Sequence, residues 1–250
     1  MPEFSDPFDD VRARLLPAAL KAAVFEGFTP VMMANAAKAT GVSEAELAAA
    51  FPTGALGLVE YWSSMADQAS AEALKGEGAA GLKIREKVAL GVEARIAFLR
   101  PDKETVRRAA AFLALPLNTP AGGRLIWNAA DAIWRAIGDP SADFNFYSKR
   151  AILSAVLTST MARWFADDGE GEAETKEFLR ARIENVMQFE KLKAKVRDKG
   201  FDAQGMWGWL AKMRYPEAKS ARERQEEKID EALRETFPAS DPPYWTSRGV

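Results

Sequence analysis

Three aromatic residues, Phe144, Phe146 and Tyr147, stand directly ahead of two cations, Lys149 and Arg150. That combination is suited to recognition, because rings and guanidinium groups bury large areas at low entropic cost and so anchor interfaces. Residues for bond-making chemistry are scarce by contrast. The chain has 0 His and 0 Cys, which removes the commonest acid–base group near neutral pH, the thiolate nucleophile and the usual zinc ligands. Carboxylate-only Mg²⁺ or glycosidase chemistry needs neither residue, but no acidic pair stands apart from the solvated helix faces. The expectation is a protein without catalytic activity, metal or cofactor.

The elements that carry this cluster are legible in residues 131–153. A helical run with Ile133, Trp134 and Ile137 meets Gly138, the residue that accepts positive φ after a helix end. Asp139-Pro140 makes a turn, and Asp143 is placed to cap a second helix through its short acceptor side chain. Aromatics at spacings of two and three cannot share one face of a 3.6-residue helix. At least one therefore faces another helix, a ligand or a partner. A corner packed wholly inside the domain is the alternative.

Around this corner the pattern is helical throughout, with no strand-like alternation. Val11, Leu15, Ala18, Ala19 and Ala22 recur at helical spacing, and Pro17 should kink or divide that run. Thr29 caps and Pro30 opens a short helix that stops at Gly41. Ser43 and Glu46 form a capping-box pattern for the next helix, and Gly54 begins another. Residues 70–81 read as a Gly/Glu linker. Ile84, Val88, Val92, Ile96 and Leu99 form a stripe ending at Pro101. Val106, Ala110 and Leu113 form the next, after which Asn118 or Thr119 can cap the helix leading to Ile137. From Asp143 onward, Phe146, Leu153, Leu157 and Trp164 make an apolar line. Ala151, Ala155, Thr158 and Ala162 make a line of small residues that permits close helix approach.

Residues 29–54 place a Gly-containing turn between two short helices, a helix-turn-helix. The phrasing resembles the N-terminal module of the TetR regulators, which implies an all-α, TetR-like domain of about nine helices. The charge does not suit DNA. Residues 29–60 carry Lys38 against Glu44, Glu46 and Glu60, a net −2, and residues 43–50 offer no Arg, Lys, Asn or Gln to base edges. The whole chain is also at net charge −2, so no nucleic-acid partner is expected.

The central segment GDPSADFNFYSKR resembles the signature of a lipid-binding accessory family of ubiquinone biosynthesis, that of the ninth coenzyme-Q synthesis protein. The similarity extends to residues 112–120 (FLALPLNTP) and 178–194 (FLRARIENVMQFEKLKA). One departure is Phe146, where that family usually carries Trp. The resemblance implies a bacterial member that binds an isoprenoid lipid, a ubiquinone precursor, and presents it to the demethoxyubiquinone hydroxylase. The TetR-like resemblance implies a homodimer through the last two core helices, with ordinary packing inside the domain as the alternative. Phe146, Tyr147, Lys149 and Arg150, with Asp143 setting the helix start, are expected in a partner-facing patch, and of these the ubiquinone-family resemblance itself places the pair Phe146 and Tyr147 at the hydroxylase contact. Interior apolar residues are the candidate lipid contacts: Ile96, Leu99, Phe112, Leu115, Leu125, Trp134, Leu153 and Leu157. The spacing does not separate these from plain core. A TetR-type repressor with an apolar effector pocket is the alternative function.

Beyond residue 195 a basic run precedes FDAQGMWGWLAKMRYP, with Met206, Trp209, Leu210 and Met213 at helical spacing and Trp207 beside them. This is the pattern of an interfacial amphipathic helix, or of a helix docked on its own domain. The organisation expected is a helix-turn-helix-like module at 1–75, a lipid-binding and dimerisation domain at 76–197, and an amphipathic helix with a charged, Pro-rich tail at 198–250. The first residues show neither a signal-peptide nor a transit-peptide pattern. The expected location is therefore cytoplasmic, peripheral on the inner membrane.

Overall fold

The computed structural model describes residues 7–139 and 144–198, and helices are the only regular elements among them. Nine α-helices follow in order: α1 (Asp9–Glu26), α2 (Pro30–Thr40), α3 (Glu44–Ala50), α4 (Ala55–Lys75), α5 (Ile84–Leu99), α6 (Lys103–Leu113), α7 (Thr119–Ile137), α8 (Phe144–Ala166) and α9 (Ala173–Asp198). None is long and apolar enough to cross a membrane. Residues Met1–Gln188 form one compact unit, and Phe189–Val250 a second that is described only as far as Asp198.

The local signals act as their chemistry requires. The Thr29 hydroxyl accepts the Met32 N–H at 3.1 Å and Gly41 closes α2 at φ 68°. Glu46 returns to Ser43, accepting its backbone N–H at 2.8 Å and its hydroxyl at 2.6 Å, so the capping box is complete. Gly138 ends α7 at φ 84°, a conformation that a side chain disfavours.

Three expectations need correction. Pro17 does not divide α1, which runs unbroken while Leu15, Leu16, Ala19, Leu20 and Ala23 hold it to the core. The proline removes one backbone hydrogen bond, and the buried face outweighs that loss. Helix α4 reaches Lys75, well into the presumed linker, because the buried Ser70 hydroxyl donates to the Ala66 and Gly91 carbonyls and Leu74 is buried. Neither Asn118 nor Thr119 accepts a capping bond from α7. Both donate backward instead, Asn118 to the Phe112 carbonyl and Thr119 to that of Leu115.

The core is built around α4, which packs along α5, α7 and α1, with α8 laid against α7. Helices α4, α5 and α7 come close at Gly91, where a Cβ would meet Ile133 at 3.1 Å and Leu74 at 3.2 Å. On α8 the expected apolar line is inward, with Leu153, Leu157 and Trp164 all buried. The small-residue line Ala151, Ala155, Thr158 and Ala162 is exposed.

Candidate functional site

An open cleft of about 750 Å³ lies between α6, α7 and α8, with its floor on α4 and α5. Buried Val59, Trp62, Leu99, Val106, Ala109 and Leu125 make the floor. Half-buried Ile126, Trp127, Met161 and Phe165 form the walls, and exposed Ala110, Ala114, Gly123, Ala151, Thr158 and Ala162 form the rim. The lining is predominantly apolar, and its volume falls within the range of ligand pockets, about 300–1,000 Å³. Small residues at the rim keep it open, since larger side chains at those positions would fill it.

The floor has one charged group. Arg95 is buried beside Asp67, donates Nη1 to that carboxylate and to the Ser63 carbonyl (3.3 Å), and donates Nη2 to the Ser63 hydroxyl (2.8 Å). Burial pushes the Asp67 carboxyl above its ordinary range, against the pull of Arg95. Burial likewise lowers Arg95 from its ordinary value, against Asp67. Sequence reading passed over this pair. The signal was present, because Arg95 interrupts the inward stripe Val88, Val92, Ile96 and Leu99.

The α7–α8 corner holds a second buried cation. Arg150 donates Nε to Asp131 at 2.5 Å and Nη1 to the Phe146 carbonyl at 3.1 Å, and its Nη1 lies 3.6 Å from Asp139. Its guanidinium carbon sits 3.4 Å from the centre of the Phe146 ring. Lys149 pairs with Asp139 at 2.6 Å and lies over the Trp134 ring. Tyr147 is exposed, at 61%, with its ring 6.3 Å from that of Trp127 on the cleft wall.

The structure therefore separates the expected partner patch. Tyr147 faces outward, Phe146 and Lys149 are half-buried, and Asp143 lies outside the described residues. The expectation of an outward Arg150 is corrected: two carboxylates and a ring draw it inside, where only 2% of it is exposed. Among the expected lipid contacts, Leu99 and Leu125 line the cleft. Ile96, Leu153 and Leu157 sit in close-packed core. Phe112 packs against Phe28 with ring centres 5.7 Å apart. Trp134 donates its indole N–H to the Lys149 carbonyl at 3.2 Å, and Leu115 is half-exposed beside Leu117 on the α6–α7 loop. Met206, Trp207, Trp209, Leu210 and Met213 lie outside the described residues.

At the far end of α8 a polar junction fixes the entry to α9. Glu172, at φ 57°, accepts from Arg100 at 3.0 and 2.8 Å and from the Trp164 indole at 2.6 Å. Burial alone would raise its carboxyl, but Arg100 and Trp164 hold it below the ordinary range. Asp167 is lowered by the Thr175 hydroxyl and then by the Thr175 and Gly169 backbone N–H groups.

Fold and cleft together define a TetR-like helical protein with an open apolar groove. The fold likeness is to the TetR transcriptional regulator from Nitrosomonas europaea ATCC 19718, at TM-score 0.60 and 16% identity, over 72% of this chain and 99% of that one. The family resemblance is to COQ9, whose family profile matches residues 119–190, spanning α7, the corner, α8 and most of α9. Over 199 residues the chain is 28% identical to the ubiquinone biosynthesis protein COQ9, mitochondrial, of Homo sapiens, covering 77% of this chain and 62% of that protein. The Drosophila melanogaster protein of the same name is 27% identical over 188 residues, covering 74% of this chain and 57% of its own length. The recognition made from the central motif is borne out: the chain resembles COQ9 in sequence and has a TetR-like fold. The match spans about three fifths of the length of these curated relatives.

Proposed function

We propose that this protein is a non-catalytic accessory protein of ubiquinone biosynthesis. In this reading it binds an isoprenoid quinone intermediate in the cleft between α6, α7 and α8 and presents it to the demethoxyubiquinone hydroxylase. The observation that carries the proposal is the cleft itself, an apolar groove in a chain whose relatives are named for ubiquinone biosynthesis. A polyprenyl quinone is nearly insoluble in water, and each methylene it buries contributes about 0.8 kcal/mol, so such a groove can compete with a bilayer. Organic extraction of the purified protein, followed by mass spectrometry, should recover isoprenoid quinones. Extracts containing no lipid would sink the proposal.

The alternative, a repressor, is disfavoured by the reading helix. Exposed positions on α3 are Glu44, Ala45, Glu46, Ala48 and Ala49, and Glu46 is committed to the capping box. That surface has no donor for a base edge and repels phosphate. A salt-sensitive footprint on the DNA upstream of its own gene would reverse the ranking.

The remaining parts of the proposal have separate tests. A second copy is proposed to pair through the last two core helices, α8 and α9, to be checked by sedimentation equilibrium. Peripheral attachment to the inner membrane is assigned to Met206, Trp207, Trp209, Leu210 and Met213. Substituting Ser for both Trp209 and Leu210 should abolish cosedimentation with liposomes while the melting temperature holds.

A further inference from the structure

Two polar features of the cleft are left over after packing is accounted for. An arginine carries five N–H donors. Arg95 uses Nη1 for Asp67 and the Ser63 carbonyl and Nη2 for the Ser63 hydroxyl. Its Nε–H and one Nη2–H therefore have no partner among the described residues, although Arg95 lines the cleft. Ser154, on the α8 wall, likewise has a buried hydroxyl without a hydrogen-bond partner among those residues. A buried hydroxyl left in this state calls for a specific explanation, and a ligand that completes it and takes the spare Arg95 donors is one.

Charge decides the kind of ligand. Asp67 already balances Arg95, so an anion brought to the floor would add an uncompensated charge where burial makes charge costly. A neutral carbonyl oxygen can accept from a guanidinium without that cost, and hydrogen bonds from charged donors are the stronger class. Resting on the lipid-binding reading above, we infer that Arg95, held by Ser63 and Asp67, anchors the carbonyl-bearing head group of a neutral lipid. The tail runs outward along Ile126, Trp127, Met161 and Phe165. The head group is thus held inward during carriage, and delivery begins with release of these hydrogen bonds.

The test equilibrates the full chain with an equimolar mixture of a short-chain ubiquinone, squalene and oleate, then measures the retained ratio by mass spectrometry. Ubiquinone should be retained over squalene by about tenfold or more, and over oleate as well. In the double variant Arg95→Leu with Asp67→Leu, which removes both charges without orphaning either, the ubiquinone-to-squalene ratio should fall to near one while squalene retention holds. Equal retention of ubiquinone and squalene by the parent overturns the anchor and leaves lipid binding standing. An unchanged preference in the double variant overturns it too, and oleate retained above ubiquinone overturns the neutral head group. Retention of none of the three overturns the lipid-binding reading itself. Because a double variant can fail to fold, the parent's ratios decide alone if it does. Ser154→Ala then provides a milder variant, expected to lower the ubiquinone ratio by a smaller factor.

Discussion

Arg95 and Arg150 are both buried, at 7% and 2% exposure, and each faces a carboxylate, yet they sit in different chemistry. Arg150 stands between Asp131 and Asp139, donates to the Phe146 carbonyl and lies over its ring. Arg95 has Asp67 as its acidic partner, shares the rest of its bonding with Ser63, and lines the cleft with donors to spare. One guanidinium ties α7 to α8, and the other forms part of the cleft floor. Burial alone does not distinguish them. What separates them is place: Arg95 lines the cleft, whereas Arg150 is enclosed at the α7–α8 corner by Asp131, Asp139 and the Phe146 ring.

The largest effect on stability should come from breaking the enclosed site. Arg150→Met removes the buried cation between Asp131 and Asp139, which keep Arg135 and Lys149 as partners, and should cost about 2 kcal/mol, as loss of charged hydrogen bonds does. Urea denaturation measures it, and a loss under about 1 kcal/mol would place Arg150 with ordinary surface cations. Removing the open site as a pair should cost less. Arg95→Leu with Asp67→Leu should change stability by about 1 kcal/mol or less in either direction, while the ubiquinone preference is lost. Asp67→Leu alone should be the more damaging change, because it strands Arg95.

Acid extends the comparison to the α8–α9 junction. Glu172 and Asp167 have lowered carboxyls, so their stabilisation is present above the ordinary carboxylate range and is lost as pH falls through their lowered values. Asp67 is raised and acts in the opposite sense, favouring the folded state as it protonates between its raised value and the ordinary one. The acid limb of unfolding should therefore be governed by the junction. Glu172→Gln should flatten it, as read by circular dichroism, whereas Asp67→Asn should not. The smallest stability effect belongs to Tyr147→Ala. At 61% exposure the change should cost about 0.5 kcal/mol, and it should weaken hydroxylase binding by about 2 kcal/mol if Tyr147 anchors the partner. A melting temperature that collapses together with binding would show Tyr147 to be structural.

Much of this could be read in advance, for local reasons. Thr29, Ser43 with Glu46, Gly41 and Gly138 act within a few residues of themselves, so their spacing alone locates the helix ends. The inward stripe of α8 was legible in the same way. Pro17 misled because a local rule met a non-local packing face. Residues 70–81 misled because the groups that hold Ser70 and Leu74 come from α5, out of reach of any local pattern.

The sequence by itself determined the helical class, the helix-turn-helix module, the lack of His and Cys chemistry, and the motif that marks the COQ9 resemblance. Each of these is a property of composition or of short-range order. Only the tertiary structure decided which apolar residues pack as core and which border open space. It placed Leu99 and Leu125 in the cleft but Leu153 and Leu157 in the interior. It also turned Arg150 inward and set Arg95 at the cleft floor. The physical reason is that a stripe of apolar residues specifies only that a face is buried. Whether that face meets another helix or a groove depends on the sizes of residues far away in the chain, here the small rim residues of α7 and α8.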